Sequence, residues 1–333
     1  MDNPDLTTPF QDIRRMIVSI PGPDESSQQA VRDKDSTFAK TKGSFGRLEW
    51  LAEWVSAWQH HYPPTINRPL VCVFAASHGI AKHALFDDKE PSSTTMLDAY
   101  SEGNSAITQI CGTFDFGFRV FDLASEIPTK DISEEPALDE KSCVATMAYG
   151  MEAVAGDIDI LALGATGTGS SLSAAAIFSA LYGGSAEKWV PRETHCNDAL
   201  FQQRVQLVEK ALLLHKDHFT DPLEILSRLG GREIAALAGA ILAARLQKIP
   251  VILDGYACTA AASVLYAIHP ATLDHCIAGQ LSAVGAHRDA LERIQKIPLI
   301  ALGLQLEDGC GAALAMSLVK AAVTVHNDMQ GSS

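Results

Sequence analysis

Three short apolar runs, LVCVFAA (70–76), IDILALG (158–164) and IPVILDG (249–255), each end in a glycine-bearing or polar turn. Unbroken apolar runs of this length suit strands buried on both faces, and such strands belong to parallel sheets covered by helices. FRVFDLA (118–124) reads as a further strand, with CIAGQLSA (276–283) and PLIALGLQL (298–306) as strands or strand starts. Between them the apolar spacing becomes helical. Helices are expected over roughly 94–111, 137–155 and 198–214, and in SSLSAAAIFSALYG, DPLEILSRLGG, REIAALAGAILAARLQK, YACTAAASVLYAI and GAALAMSLVKAAVTVHNDM. This alternation predicts an α/β fold, a Rossmann-like, mainly parallel sheet with helices on both faces. Residues 1–66 precede the first strand. They contain the amphipathic run LEWLAEWVSAWQ and lead into the proline-rich linker HYPPTINRP (61–69). They are expected to form a small helical lobe, joined by the final helix, beside an α/β domain over 67–333.

Charge narrows the partners. The net charge is −14, and no Lys/Arg cluster offsets it, so nucleic acid and anionic membrane are not expected partners. No apolar run approaches the ~20 residues that cross a bilayer, and MDNPDLTTPFQDIRR lacks the pattern of an export signal. The seven cysteines include no CxxC pair, and most sit in apolar surroundings. That is the usage of a reducing compartment, and a cytoplasmic location is expected. An anionic small molecule remains open as a ligand if backbone N–H groups supply the positive potential.

In an open parallel sheet, ligands bind beyond the carboxyl ends of the strands. That rule selects SHGI (77–80), LASE (123–126), GATGTGSS (164–171), DGYACT (254–259), LSAVGAH (281–287) and LEDGCGA (306–312). The glycines at 164, 167 and 169 fit neither GxGxxG nor a P-loop. With Ser170 and Ser171 they read either as an anion cradle at a helix N-terminus or as a tight, serine-capped corner. Asp308 and its neighbour Glu307 offer a general base, or only acidic groups beside a helix N-terminus. His78, Asp254 and His287 are contact candidates on the same rule, each with a structural alternative. The histidines have no metal-ligand spacing, so no metal is expected.

These segments, in this order, give the chain a specific resemblance. GSFGRLE (43–49), RPLVCVFAASHGI, DPLEILSRLGGREIAALAGAILAA and IPVILDGYACTAAA are similar to blocks of the nicotinate-nucleotide–dimethylbenzimidazole phosphoribosyltransferases of cobalamin lower-ligand assembly. The likeness runs from about PFQDIRR to the final helix. It implies a homodimer that moves a phosphoribosyl group from nicotinate mononucleotide to a benzimidazole nitrogen, without metal or cofactor. It implies Asp308 as general base, since EDGCGAAL aligns with the family's G-E-G-T-G-A-A-L. The resemblance places Ser93, Gly164, Gly167, Gly169, Ser170, Ser171, Ser282, Gly309 and Gly311 at the substrates, beside His78, Asp254 and His287.

The site motifs depart from the family pattern. G-E-M-G-I-G-N-T-T is matched by GATGTGSSL, with Ala165 in place of glutamate. S-[AG]-E-P-G-H is matched by SAVGAH, T-A-Q-M by STTML (93–97), GGAAI by GNSAI (103–107), and a G-x-G-T-G segment by VPRETHCNDAL (190–200). Three readings follow. One is a phosphoribosyltransferase with an altered site. The second is a catalytically degraded paralogue that acts as a nucleotide- or benzimidazole-binding or regulatory protein, and the third is a structural partner that pairs with an active relative.

Overall fold

The computed structural model describes residues 8–41, 43–83, 92–192 and 196–331. Five strands form one sheet: β1 (Pro69–Ser77), β2 (Gly117–Asp122), β3 (Ile160–Thr168), β4 (Val251–Leu253) and β5 (Cys276–Ala278). Every pairing is parallel, and the order is β2-β1-β3-β4-β5. The chain reverses direction across the sheet between β1 and β3, where open α/β sheets leave a crevice. The expected α/β class is therefore present.

Burial on both faces follows from the alternation within each apolar run. Leu70, Cys72 and Phe74 of β1, with Leu161 and Leu163 of β3, face a core built with helices Glu140–Ala153, Ser170–Tyr182, Arg232–Leu246 and Tyr256–Ile268. Val71, Val73, Ile160 and Ala162 face the other core, built with Arg47–Gln59, Ala106–Phe114 and Cys310–Asp328. The small-residue helix Arg232–Leu246 packs backbone to backbone on Glu140–Ala153: a Cβ at Gly239 would lie 1.9 Å from the Met147 carbonyl oxygen. The N-terminal helices are shared between the cores. Phe10, Ile13 and Ile17 enter the first, while Leu51, Trp54 and Trp58 enter the second beside Cys310–Asp328.

Three expectations are corrected. The helix expected over 94–111 is two helices, Ser93–Ser101 and Ala106–Phe114. Gly103 turns the chain at φ 72° and Ser105 opens the second helix with a capping box. PLIALGLQL is not a strand. It makes one parallel bridge, Ile300 to Gln280, and exposes Leu302 and Leu306, since β5 itself ends at Ala278. Finally, β3 runs on through Gly164 to Thr168, because β1 is equally long and pairs with it to Ser77↔Thr168. Gly164 and Gly167 are thus strand residues, and only Gly169 belongs to a turn.

Candidate active site

Beyond the carboxyl end of β3 lies a cleft of about 270 Å³, lined by Thr166 to Ser171, by Glu307 and Asp308, and by Met96, Arg192 and Ala257. Its floor is made by the turn at Gly169, whose φ of 92° lets the strand pass directly into helix Ser170–Tyr182. Ser170 and Ser171, the first two residues of that helix, line the cleft, and the Leu172 and Ser173 amides return to the Gly169 carbonyl at 3.2 Å.

The wall opposite is the loop before helix Cys310–Asp328, and it is clamped over β3. Ala165 N–H donates to the Glu307 carbonyl at 3.0 Å. The loop can come this close because residue 164 lacks a Cβ; one there would sit 2.3 Å from the Gly309 nitrogen. Asp254, at the end of β4, holds the loop from the far side. Its Oδ2 accepts from Gly309 N–H at 3.0 Å, and its Oδ1 accepts from Ala312 N–H at 2.7 Å and from Gln280 Nε2 at 3.1 Å. Gly164→Ala is expected to cost about 1–3 kcal/mol through overpacking. It should also lower turnover by on the order of 10²-fold by shifting the carboxylates. Urea unfolding and steady-state rates check the two effects.

The two adjacent carboxylates point to opposite sides. Asp308 is 3% exposed. Its Oδ2 accepts from the Tyr100 hydroxyl at 3.4 Å, while its Oδ1 has no partner among the described residues. Burial first, and the Asp308 charge second, push the Tyr100 hydroxyl up, so it remains a donor. The same causes push the Cys111 thiol up to about 12 and raise Cys310 as well. Glu307 turns the other way. Its Oε1 accepts from the Tyr256 N–H at 2.7 Å, and burial pushes its carboxyl up to about 7.

Of the residues singled out in the sequence, Gly167, Gly169, Ser170, Ser171 and Asp308 line the cleft. The others stand behind it. His78 is buried, with Nε2 2.5 Å from Glu233 Oε1 and Nδ1 2.8 Å from Ser173 Oγ. Asp254 has no exposure, and its oxygens are taken by the clamp. Ser93 donates to the Ala76 carbonyl at 2.7 Å and accepts from Thr168 N–H at 3.3 Å, pinning its helix to the ends of β1 and β3. Gly309 and Gly311 serve close packing: the Gly309 amide is bound to Asp254, and a Cβ at Gly311 would meet the Gln280 side chain at 2.2 Å. Ser282 is buried beside Glu307. Of the expected segment 190–200, residues 193–195 lie outside the described residues.

His287 is also a support rather than a contact. Its Nδ1 accepts from the Ser282 N–H at 3.1 Å, its Nε2 is 2.8 Å from Thr259 Oγ1, and burial lowers it to about 4. The folded chain therefore keeps this ring neutral where the unfolded chain, titrating near 6.5, takes up a proton. As pH falls from about 6.5 to 4, the wild-type chain should lose stability relative to His287→Asn by on the order of 3 kcal/mol. Urea unfolding of both proteins across that range checks it.

Two residues that matter were not singled out in the sequence. Tyr100 lies one turn beyond the STTML segment of helix Ser93–Ser101, outside the residues that the motif marks. Glu233 opens a run of alanines, where it reads as an ordinary acidic residue in a first turn. In the structure Glu233 is fully buried and takes hydrogen bonds from both His78 and Ser170. Burial opposes its ionisation, but the His78 and Ser170 bonds prevail and hold it below its ordinary value. The one signal available was that Glu233 is the sole carboxylate of its helix. Away from the cleft, His83, Asp131 and Glu134 come together, and the Lys82 ammonium occupies their midst, 3.0 Å from Asp131 and 2.6 Å from Glu134.

An open parallel sheet with amides and a half-satisfied acid converging at its switch point defines an α/β protein built to hold a small ligand in reach of a proton acceptor. A family model described as phosphoribosyltransferase matches residues 20–333. The nicotinate-nucleotide–dimethylbenzimidazole phosphoribosyltransferase of Rhizobium meliloti strain 1021 is 49% identical over 96% of this chain and 95% of its own length. That of Brucella anthropi is 50% identical over the same shares. The crystal structure of the enzyme of that name from Thermus thermophilus superposes with a TM-score of 0.81 at 29% identity, covering 92% of this chain and 97% of that one. The chain belongs to this phosphoribosyltransferase family.

Proposed function

We propose that the protein transfers a phosphoribosyl group from nicotinate mononucleotide to a nitrogen of a benzimidazole-like base, with Asp308 as general base. The observation that carries this reading is the orphaned Asp308 Oδ1, buried at the cleft and without a partner among the described residues. A buried carboxylate oxygen without a partner is costly unless something supplies a donor. The N–H of an incoming azole is such a donor. The relatives' names supply the two substrates.

The step balances with this chain's own groups. The azole nitrogen attacks the anomeric carbon of the ribose, and the bond from that carbon to the pyridine nitrogen breaks. Nicotinate leaves with the electron pair, and the azole proton passes to Asp308. Tyr100, kept protonated, holds the other Asp308 oxygen and so orients the carboxylate. Two helix N-termini, at Ser170 and at Tyr256, lie at the rim where a sugar phosphate would be held by amides, the Tyr256 amide being bonded to Glu307. Met96 and Tyr100, on one helix, flank Asp308 on the side left for an aromatic base. A homodimeric, cytoplasmic enzyme is the form that the family resemblance implies for this activity.

Mass analysis of the products formed from nicotinate mononucleotide and a panel of azoles tests the reading. A ribosylated, phosphate-bearing azole with release of nicotinate is the expected outcome. No product with any azole, from protein shown to be folded, sinks it.

A further inference from the structure

We propose that Glu307 is a resident anion: its carboxylate fills a phosphoryl-sized cradle at the start of helix Tyr256–Ile268, and an anionic ligand seats there only by displacing it. The proposal deepens the phosphoribosyl reading and rests on it for the identity of the ligand. It makes Glu307 a determinant of which charge the cleft accepts.

The cradle is visible because it is occupied. Glu307 Oε1 accepts the Tyr256 N–H at 2.7 Å, and the Ala257 N–H acts on the same carboxylate. Both amides belong to the first turn of a 13-residue helix, whose N-terminus favours negative charge. Ser282 Oγ adds a third group. It is 4% exposed, finds no hydrogen-bond partner among the described residues, and lies close enough to Glu307 to pull its pKa down. The side chain lies tight over the backbone, since a Cβ at Gly255 would be 2.6 Å from Glu307 Cδ. Ala257, Ala283, Val284 and Glu307 all line the cleft, so the cradle opens onto it. The Tyr256 amide bonded to the carboxylate, with the Ala257 amide and the Ser282 hydroxyl beside it, is a donor set a phosphoryl oxygen could use.

The charges facing Glu307 explain why this occupant is poised to leave. Asp254, Asp308, Tyr256 and Cys258 surround it, and none of them is a cation. Arg192, on the cleft rim, is already paired with Asp198. Neutral donors, not cations, therefore hold the carboxylate, and burial pushes it up to about 7. Once protonated, it no longer repels an incoming dianion and competes less for the amides.

Sulfate tests this cleanly, because it stays a dianion throughout the range. Calorimetric titration into the full chain at about pH 5.5 and about pH 8.5 compares wild type, Glu307→Gln and Glu307→Gly. Wild type is expected to bind at least about tenfold more weakly at the higher pH. Glu307→Gln should lose that dependence, and Glu307→Gly should bind at least about tenfold more tightly than wild type at the higher pH. The isosteric glutamine variant keeps the test valid if the glycine variant folds poorly. Equal sulfate affinity in wild type and Glu307→Gln at both values, including no binding by either, overturns the proposal. Nicotinate mononucleotide is titrated in parallel. If Glu307→Gly gains sulfate but binds no nucleotide, the cradle is upheld and the assignment of the donor falls.

Discussion

Asp308→Asn should lower turnover by about 10²–10⁴-fold, the span that a positioned general base contributes, with little change in ligand binding. Asparagine matches aspartate in size, so the Tyr100 hydroxyl keeps an oxygen to donate to, and the loop stays clamped by Asp254. What disappears is a site for the azole proton. The amide nitrogen would also present a hydrogen to the attacking ring, where a lone pair is needed. The comparison is made on initial rates of nicotinate release, with binding measured separately by calorimetry. Similar rates for the two proteins would remove Asp308 from the reaction. Glu307 would not inherit the role by default, because its carboxylate faces Tyr256 rather than Tyr100.

The second large effect concerns stability. Glu233→Ala is expected to destabilise the chain by about 3–5 kcal/mol, the usual cost of removing one partner from a buried pair. His78 is 1% exposed and Glu233 is 0% exposed, at 2.5 Å, and Ser170 Oγ donates to the same carboxylate oxygen at 2.8 Å. Without Glu233, His78 Nε2 and the Ser170 hydroxyl are both left in a dry interior. Three elements lose their common tie: the end of β1, the start of helix Ser170–Tyr182 and the start of helix Arg232–Leu246. Ser170 also lines the cleft, so ligand affinity should fall in parallel. Denaturant unfolding gives the value, and a loss under about 1 kcal/mol would show that the tie carries little.

The fold was open to sequence reasoning because its strands are doubly buried and so read as unbroken apolar runs. LVCVFAA, IDILALG and IPVILDG each locate a strand within a few residues. The failures have a common physical origin. PLIALGLQL has the same composition as a strand, but beyond β5 it finds only the Ile300 bridge, and composition cannot report whether a pairing partner exists. GATGT has the glycines of a turn, yet it pairs with β1 because Gly164 is needed for the approach of a distant loop. The rule that ligands bind beyond the strand ends located the cleft. It could not say which way a side chain points there. Asp254 and His287 are at the right edge and face inwards. Glu233 and Tyr100 lie outside every strand end and were invisible to the rule, although both hold groups that line the cleft.

The clamp over β3 also sets a temporal order. Strands β1 to β5 all precede residue 279, while the wall that carries both acids, and the helix that anchors it, come only after residue 306. That helix is stitched at its far end to the earliest part of the chain, through His326 to Asp35 and through Asn327 to Lys34 and the Pro64 carbonyl. Synthesis from the N-terminus therefore yields every strand before it yields Glu307, Asp308 and the helix that covers the second face of the sheet. The cleft, and with it the role proposed for Asp308, is complete only once the segment through Asp328 has been made and has packed on the N-terminal helices.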